Sequence, residues 1–337
     1  MIRRLSIYIA LALLLSACAT SNTSLINASK SKAVNLIFDT DLGPDYDDVG
    51  AMSVLHALAD SGYVNILATI SSNHNELVVP CIDVINTYYG RPNIALGAPK
   101  SKGGVADGDN HNPSWAHLLV NKYPHKTLTS SDAENAVKVY RRILSQAKDH
   151  SIVVCTVGFF TNLRDLLQSE ADEYSPLNGK QLVKKKVLRL VSMAGGFPEG
   201  MEYNVHRDAV AGAYALNEWP TDIIFIGFEI GDRILTGKKV SLSAGNNNPI
   251  KDVYAITLAQ DNPDGRKSWD LTAVLVAVKG ARPYFDIERG TIHVKEDGSN
   301  TWTADNKGRH YRLVERHTPE TIAEILDNYM LLPPKNK

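Results

Sequence analysis

Five aspartates crowd into the stretch Leu36-Ile37-Phe38-Asp39-Thr40-Asp41-Leu42-Gly43-Pro44-Asp45-Tyr46-Asp47-Asp48. Carboxylates this close repel one another unless they are protonated, solvated or gathered around a cation. Some could face water or sit in a first helical turn, where negative charge is favoured. That accounts for Asp45 alone more easily than for Asp39, Asp41, Asp47 and Asp48 together. A cluster of carboxylates with nearby carbonyls and hydroxyls suits a hard cation such as Ca²⁺, which takes about 6–8 oxygen ligands in flexible geometry. The spacing is not that of an EF-hand loop, so further ligands must come from elsewhere in the chain.

The elements that would position this loop can be read from periodicity. Val34 to Phe38 is an apolar run suited to a buried parallel strand, and Asp47 or Asp48 is expected to cap a helix reaching about Asp60, with Gly62 beyond its end. Strands are expected at 64–70, 93–96, 152–157, 187–193 and 223–226. Helices are expected at about 76–89, from Ser131 (through a Ser131–Glu134 capping box) to 147, from Leu163, and at about 209–217, 253–258 and 271–279. Residues 100–113 form a long Gly/Asp/Asn-rich loop, 291–310 a small β-hairpin or meander, and Thr318-Pro319 opens a C-terminal helix. Strands alternating with helices define an α/β fold: a mostly parallel central sheet with helices on both faces, a small C-terminal β-hairpin and a terminal helix. Residues 33–337 show no internal linker and read as one domain. Ligands in such sheets bind beyond the carboxyl ends of the strands. Polar groups follow many of those ends: Asp39 and Asp41, Asn73, Thr161 and Asn162, and the loop after Gly196.

Composition excludes little but excludes it cleanly. The chain has 337 residues, 44% apolar and 22% charged, with a formal net charge of −1, so it offers no basic footprint for nucleic acid. Residues 1–17 read as a secretory signal: Arg3 and Arg4 precede an apolar run too short to span a bilayer. The segment Leu15-Ser16-Ala17-Cys18 resembles the lipobox of a bacterial lipoprotein. That implies a lipid anchor on Cys18, a flexible tether over 18–32 and a place in the cell envelope, on the periplasmic or extracellular side of a bacterial membrane. Cys81 and Cys155 remain, expected as buried free thiols. The oligomeric state stays open, a homo-oligomer included.

Two families share an apolar strand ending in D-x-D. Phosphotransferases of the haloacid dehalogenase type continue with Thr or Val where this chain has Gly43, and no downstream Lys with an acidic pair is evident. The second resemblance is closer. Asp39-Thr40-Asp41-Leu42-Gly43 followed by Asp47-Asp48 resembles the D-x-D-P-G-x-D-D signature of the nucleoside hydrolases, with Leu42 for Pro and two extra residues within Pro44-Asp45-Tyr46. Gly158-Phe159-Phe160-Thr161-Asn162-Leu163 resembles that family's G-P-L-T-N-I/L turn. Met193-Ala194-Gly195-Gly196 with Glu202-Tyr203-Asn204 resembles its M-G-G…E-F-N segment, and Ser268-Trp269-Asp270 its late metal-binding segment.

The resemblance implies Ca²⁺-dependent hydrolysis of the N-glycosidic bond of a ribonucleoside or related riboside. It implies a Ca²⁺ site built from Asp41, Asp48, Asp270 and the Thr161 carbonyl, a metal-activated water with Asp41 as general base, and Asp47 on the ribose 2′-hydroxyl. Asn73, Glu202, Asn204 and Glu199 would contact the sugar or its surroundings, and Asp39 would orient the loop from behind. Some relatives carry a histidine acid just before the last Asp; here Trp269 stands there, as in the purine-preferring branch, and would stack on the base. His74, His111 and His206 are alternative acids, and His111 and Trp115 lie where the family keeps base contacts. Two other readings remain: a ribose- or nucleoside-binding lipoprotein without turnover, and a metal-dependent phosphohydrolase.

Overall fold

The apolar runs become strands whose alternate side chains enter two separate cores. In the computed structural model, which describes residues 33–335, β1 (Val34–Thr40) sends Leu36 and Phe38 to one core and Ile37 to the other. β5 (Ile152–Thr156), β6 (Val187–Met193) and β8 (Asp222–Ile226) divide their side chains in the same way. This is the pattern of a sheet covered on both faces. Helices Asp47–Asp60, Val78–Tyr88, Pro249–Gln260, Trp269–Lys279 and Pro319–Met330 cover one face; Ala136–Gln146, Thr161–Gln168, Gly179–Lys186 and Ala209–Glu218 cover the other. The expected signal, tether and Cys18 lie outside the described residues. Among the described residues, no helix is long and apolar enough to cross a membrane, and Cys81 and Cys155 are buried free thiols.

The remaining strands are β2 (Val64–Ser71), β3 (Ala95–Ala98), β4 (Glu134–Asn135), β7 (Glu199–Met201), β9 (Leu235–Thr236), β10 (Arg266–Lys267), β11 (Phe285–Val294), β12 (Ser299–Ala304) and β13 (His310–Glu315). Eleven of the strands form one sheet in the order β4-β3-β2-β1-β5-β6-β8-β13-β11-β12-β7, and β9 and β10 pair separately. From β4 to β13 every pair is parallel; β13-β11-β12-β7 is antiparallel. The chain leaves β1 toward β2 and returns to its other side with β5. The strand order therefore reverses at β1 and β5, the kind of point where open α/β sheets open a crevice.

Several local expectations need correction. The C-terminal hairpin is present and is larger than expected: its strands continue the central sheet through β13 and β8. Ser131 does not open a helix. Thr129 and Asp132 form a capping box on a 3₁₀ turn, β4 follows, and the helix begins at Ala136 with Asn135 accepting from the Val137 and Lys138 amides. Neither Asp47 nor Asp48 is an N-cap; both lie in the first turn, after Tyr46. A short helix, Tyr203–Arg207, occupies what reads as a polar loop.

Candidate metal and substrate site

Two helices meet at their amino ends, and that meeting makes the site. The Asp47–Asp60 helix is buried from Asp47 through Leu58, and the Trp269–Lys279 helix packs against it. Gly50 permits the approach: a Cβ there would stand 2.3 Å from the Tyr254 hydroxyl oxygen and 3.1 Å from the Leu271 methyls. First-turn Asp47 and Asp48 are thereby set against first-turn Asp270, whose amide donates to Asp47 Oδ2 at 3.1 Å. Two helix amino termini favour negative charge at this point. Asp47, Asp48 and Asp270 can each offer an oxygen within 4.8 Å of the others'.

The third contributor is the carboxyl end of β1. Asp41 lines the same cavity as Asp47, Asp48 and Asp270. Asp48 accepts from the Thr40 hydroxyl and from the Leu42 amide, which ties the helix back onto the loop. Burial, then the Asp48 charge, holds Asp41 well above the ordinary carboxylate range, and burial with neighbouring carboxylates does the same to Asp47 and Asp270. Asp48 is pushed up to about 6 by burial, moderated by the Thr40 hydroxyl. Four buried carboxyls that resist ionising together are a fit for a divalent cation, and an all-oxygen donor set suits a hard one.

The cavity measures about 350 Å³. Glu202 and Asn204 line it from the amino end of the Tyr203–Arg207 helix, which follows β7. Glu202 caps the Tyr203–Arg207 helix by accepting from the Asn204 and Val205 amides at 2.8 and 3.1 Å, and burial pushes its carboxyl up to about 7. Asn204 Nδ2 donates to the Val157 carbonyl at 2.9 Å, joining this helix to the residue after β5. Trp269 also lines the cavity, its ring tilted on Phe228 at 5.4 Å, and its indole N–H donates to the Phe228 carbonyl at 2.8 Å.

Other expected site residues are not among those lining this cavity. Both Asn73 amide hydrogens go to backbone carbonyls, of Asp41 at 2.9 Å and Asp107 at 2.8 Å. Its oxygen accepts from the Asn75 and Asp107 amides. It is a strut that carries Asp41 and the long loop together, not a cavity contact. Glu199 is exposed on the edge strand β7 and does not line the cavity. The Thr161 hydroxyl donates to Asp208 at 2.8 Å. Asp39 sits fully buried under the loop with Tyr140 and Asn162 donating to it, and burial pushes it up to about 7. None of His74, His111 and His206 lines the cavity, and Trp115 is core. His111 instead pins the long loop, with Asp109 at 2.7 Å on Nδ1 and Asp261 at 3.2 Å on Nε2. That loop also docks on the Tyr203–Arg207 helix through Asp107, which accepts from Tyr203 and Arg207.

The structure adds contributors that carry little sequence signal: Arg266, Tyr203, Phe228 and, from the inserted stretch, Asp45. Gly158 is a further constraint. A Cβ there would stand 2.4 Å from the Asp41 amide nitrogen and 2.5 Å from the Ser72 hydroxyl. Gly158→Ala should displace the Asp41 loop at a cost of about 1–3 kcal/mol. A fall in the denaturant midpoint together with weaker cation binding is the expected reading; unchanged values would show that the loop yields freely.

A cleft of buried carboxylates thus lies at the strand-order reversal, with the aromatic rings of Phe228 and Trp269 on its wall. The model of the family "Inosine-uridine preferring nucleoside hydrolase" matches residues 36–327, and the chain belongs to that family, hydrolases acting on N-glycosyl bonds. A comparison with curated proteins returns no match. Among solved structures, the chain resembles a purine-preferring ribonucleoside hydrolase from Gardnerella vaginalis at 17% identity and a TM-score of 0.67, covering 89% of this chain and 99% of that one. It resembles a plant nucleoside hydrolase at 19% identity and a TM-score of 0.65, with coverage of 89% and 99%. For the inosine-uridine preferring enzyme of Bacillus anthracis the values are 15%, 0.62, 88% and 97%.

Proposed function

We propose that the chain uses Ca²⁺ to hydrolyse ribonucleosides, or a closely related N-riboside, to ribose and free base. The observation that carries this is the convergence of Asp41, Asp47, Asp48 and Asp270 in one cavity with Glu202 and Asn204. Asp41, Asp48 and Asp270, with the Thr161 carbonyl, would hold the cation, and Asp47 stands close enough to share it. When bound, a divalent cation supplies charge neutralisation and Lewis acidity at the cluster. Asp41 accepts the proton of the attacking water. Asp47 accepts a ribose hydroxyl while its other oxygen stays on the Asp270 amide. Bond cleavage leaves positive charge on the sugar, and the buried carboxylates, held in place before the reaction, stabilise it.

Reducing-sugar release from ribonucleosides, 2′-deoxynucleosides and nucleotides tests this. Ribonucleosides should release sugar and base, deoxynucleosides far less. Saturable nucleoside binding without turnover would turn the reading into a binding protein, and phosphate release without free base into a phosphohydrolase. From residues 1–18 we further infer a lipid anchor at Cys18 on a bacterial envelope membrane. Cys18→Ser should move the protein from the membrane to the soluble fraction; persistence at the membrane would remove the anchor.

A further inference from the structure

One charged pair in the cavity belongs neither to the cation cluster nor to the sugar side. Asp45 comes from the stretch that lengthens the acidic loop, and Arg266 from β10, ahead of Trp269 and Asp270. Arg266 Nη2 donates to Asp45 Oδ2. The guanidinium lies over the Tyr46 ring at 5.1 Å and over the Trp269 ring at 5.5 Å. Its Nε is buried without a hydrogen-bond partner. Two aromatic faces and one carboxylate thus hold a planar cation in the cavity with donor capacity left over.

The neighbouring donors are already committed. The Trp269 indole N–H is on the Phe228 carbonyl, the Tyr203 hydroxyl on Asp107, and the Asn204 amide on Val157. Among the described residues no histidine lines the cavity. Asn110, exposed at the rim, is neutral and offsets no charge.

We infer that Arg266, positioned by Asp45, receives the departing base and selects bases with two adjacent acceptors, 6-oxopurines foremost. This rests on the reading that the cavity cleaves N-ribosides. As water oxygen bonds to C1′, its proton passes to Asp41, the C1′–N bond breaks and the electron pair leaves with the base. The base is then protonated by solvent, and Arg266 remains a cation throughout. A fixed guanidinium opposes the charge growing on the base in a site of low dielectric. Its planar fork matches the O6 and N7 acceptors of a 6-oxopurine, whereas adenine offers N7 beside an amino donor.

The test compares inosine, adenosine and 4-nitrophenyl β-D-riboside, whose phenolate leaves without help, in the wild type and the Arg266→Met, Arg266→Lys and Asp45→Asn variants. Arg266→Met should lower kcat/KM for inosine about 100-fold, lower it far less for the nitrophenyl riboside, and erase the preference for inosine over adenosine. Arg266→Lys should restore part of the rate but not the preference. Asp45→Asn should weaken the preference while sparing the nitrophenyl riboside. Equal losses on all three substrates, or no loss on inosine, would overturn the inference alone. A wild type that cleaves none of them would overturn the underlying reading and this inference with it.

Discussion

Replacing Asp41 by Asn is expected to lower ribonucleoside turnover by about 10²–10⁴-fold, the usual contribution of a positioned general base, without unfolding the protein. The amide fills nearly the same space and cannot take the proton of water. It also removes a buried charge that burial and Asp48 already disfavour, so the metal-free variant should melt no lower than the wild type. Steady-state kinetics and a thermal melt, run together, check this. A near-normal rate would remove Asp41 as the base, and a lost rate with a lowered Tm would assign the effect to folding.

The second large effect is on stability. Added Ca²⁺ should raise Tm, and by more at pH 8 than at pH 5. In the metal-free chain Asp48 is raised from 3.8 to about 6, and Asp41, Asp47 and Asp270 are also raised well above the ordinary carboxylate range, burial being the first cause in each. A carboxyl raised on folding favours the folded state only while protonated, and its stabilisation is lost as pH climbs through the folded value. The metal-free protein should therefore weaken from about pH 4 upward, through 6 and beyond, as the cluster is forced to ionise. A cation reverses this where the carboxylates are ionised, and at pH 5 it must displace protons. At a concentration of about 100 times Kd, binding contributes about 2.7 kcal/mol, several degrees of Tm. Equal shifts at both pH values would place the ion elsewhere.

The sequence discloses the site unevenly, and the reasons are physical. Aspartates gathered at the end of a buried strand are conspicuous because such charge density needs an explanation, and Asp270 is visible beside Trp269 through the resemblance. The parallel strands are legible because alternate side chains on both faces are apolar. Asn73 is harder to read: a polar residue after a strand can serve the backbone as well as a ligand, and here its side-chain hydrogen bonds hold Asp41, Asn75 and Asp107 in place. Glu199 sits on a three-residue edge strand, too short to announce which way its side chain points. The contact between Asp45 and Arg266 joins residues 221 positions apart and leaves no periodic trace. The helix at Ala136 starts late because Asn135 is the better-placed cap, after a two-residue strand that propensity alone does not reveal.

The most direct test of the central claim is ribose release from inosine by the purified chain, measured as isolated, after chelation, and after Ca²⁺ is restored. The wild type is expected to release ribose, to lose that activity on chelation and to recover it with Ca²⁺, whereas Asp48→Asn and Asp270→Asn are not expected to recover it. Turnover that survives complete chelation, or recovers equally in those variants, would contradict that claim.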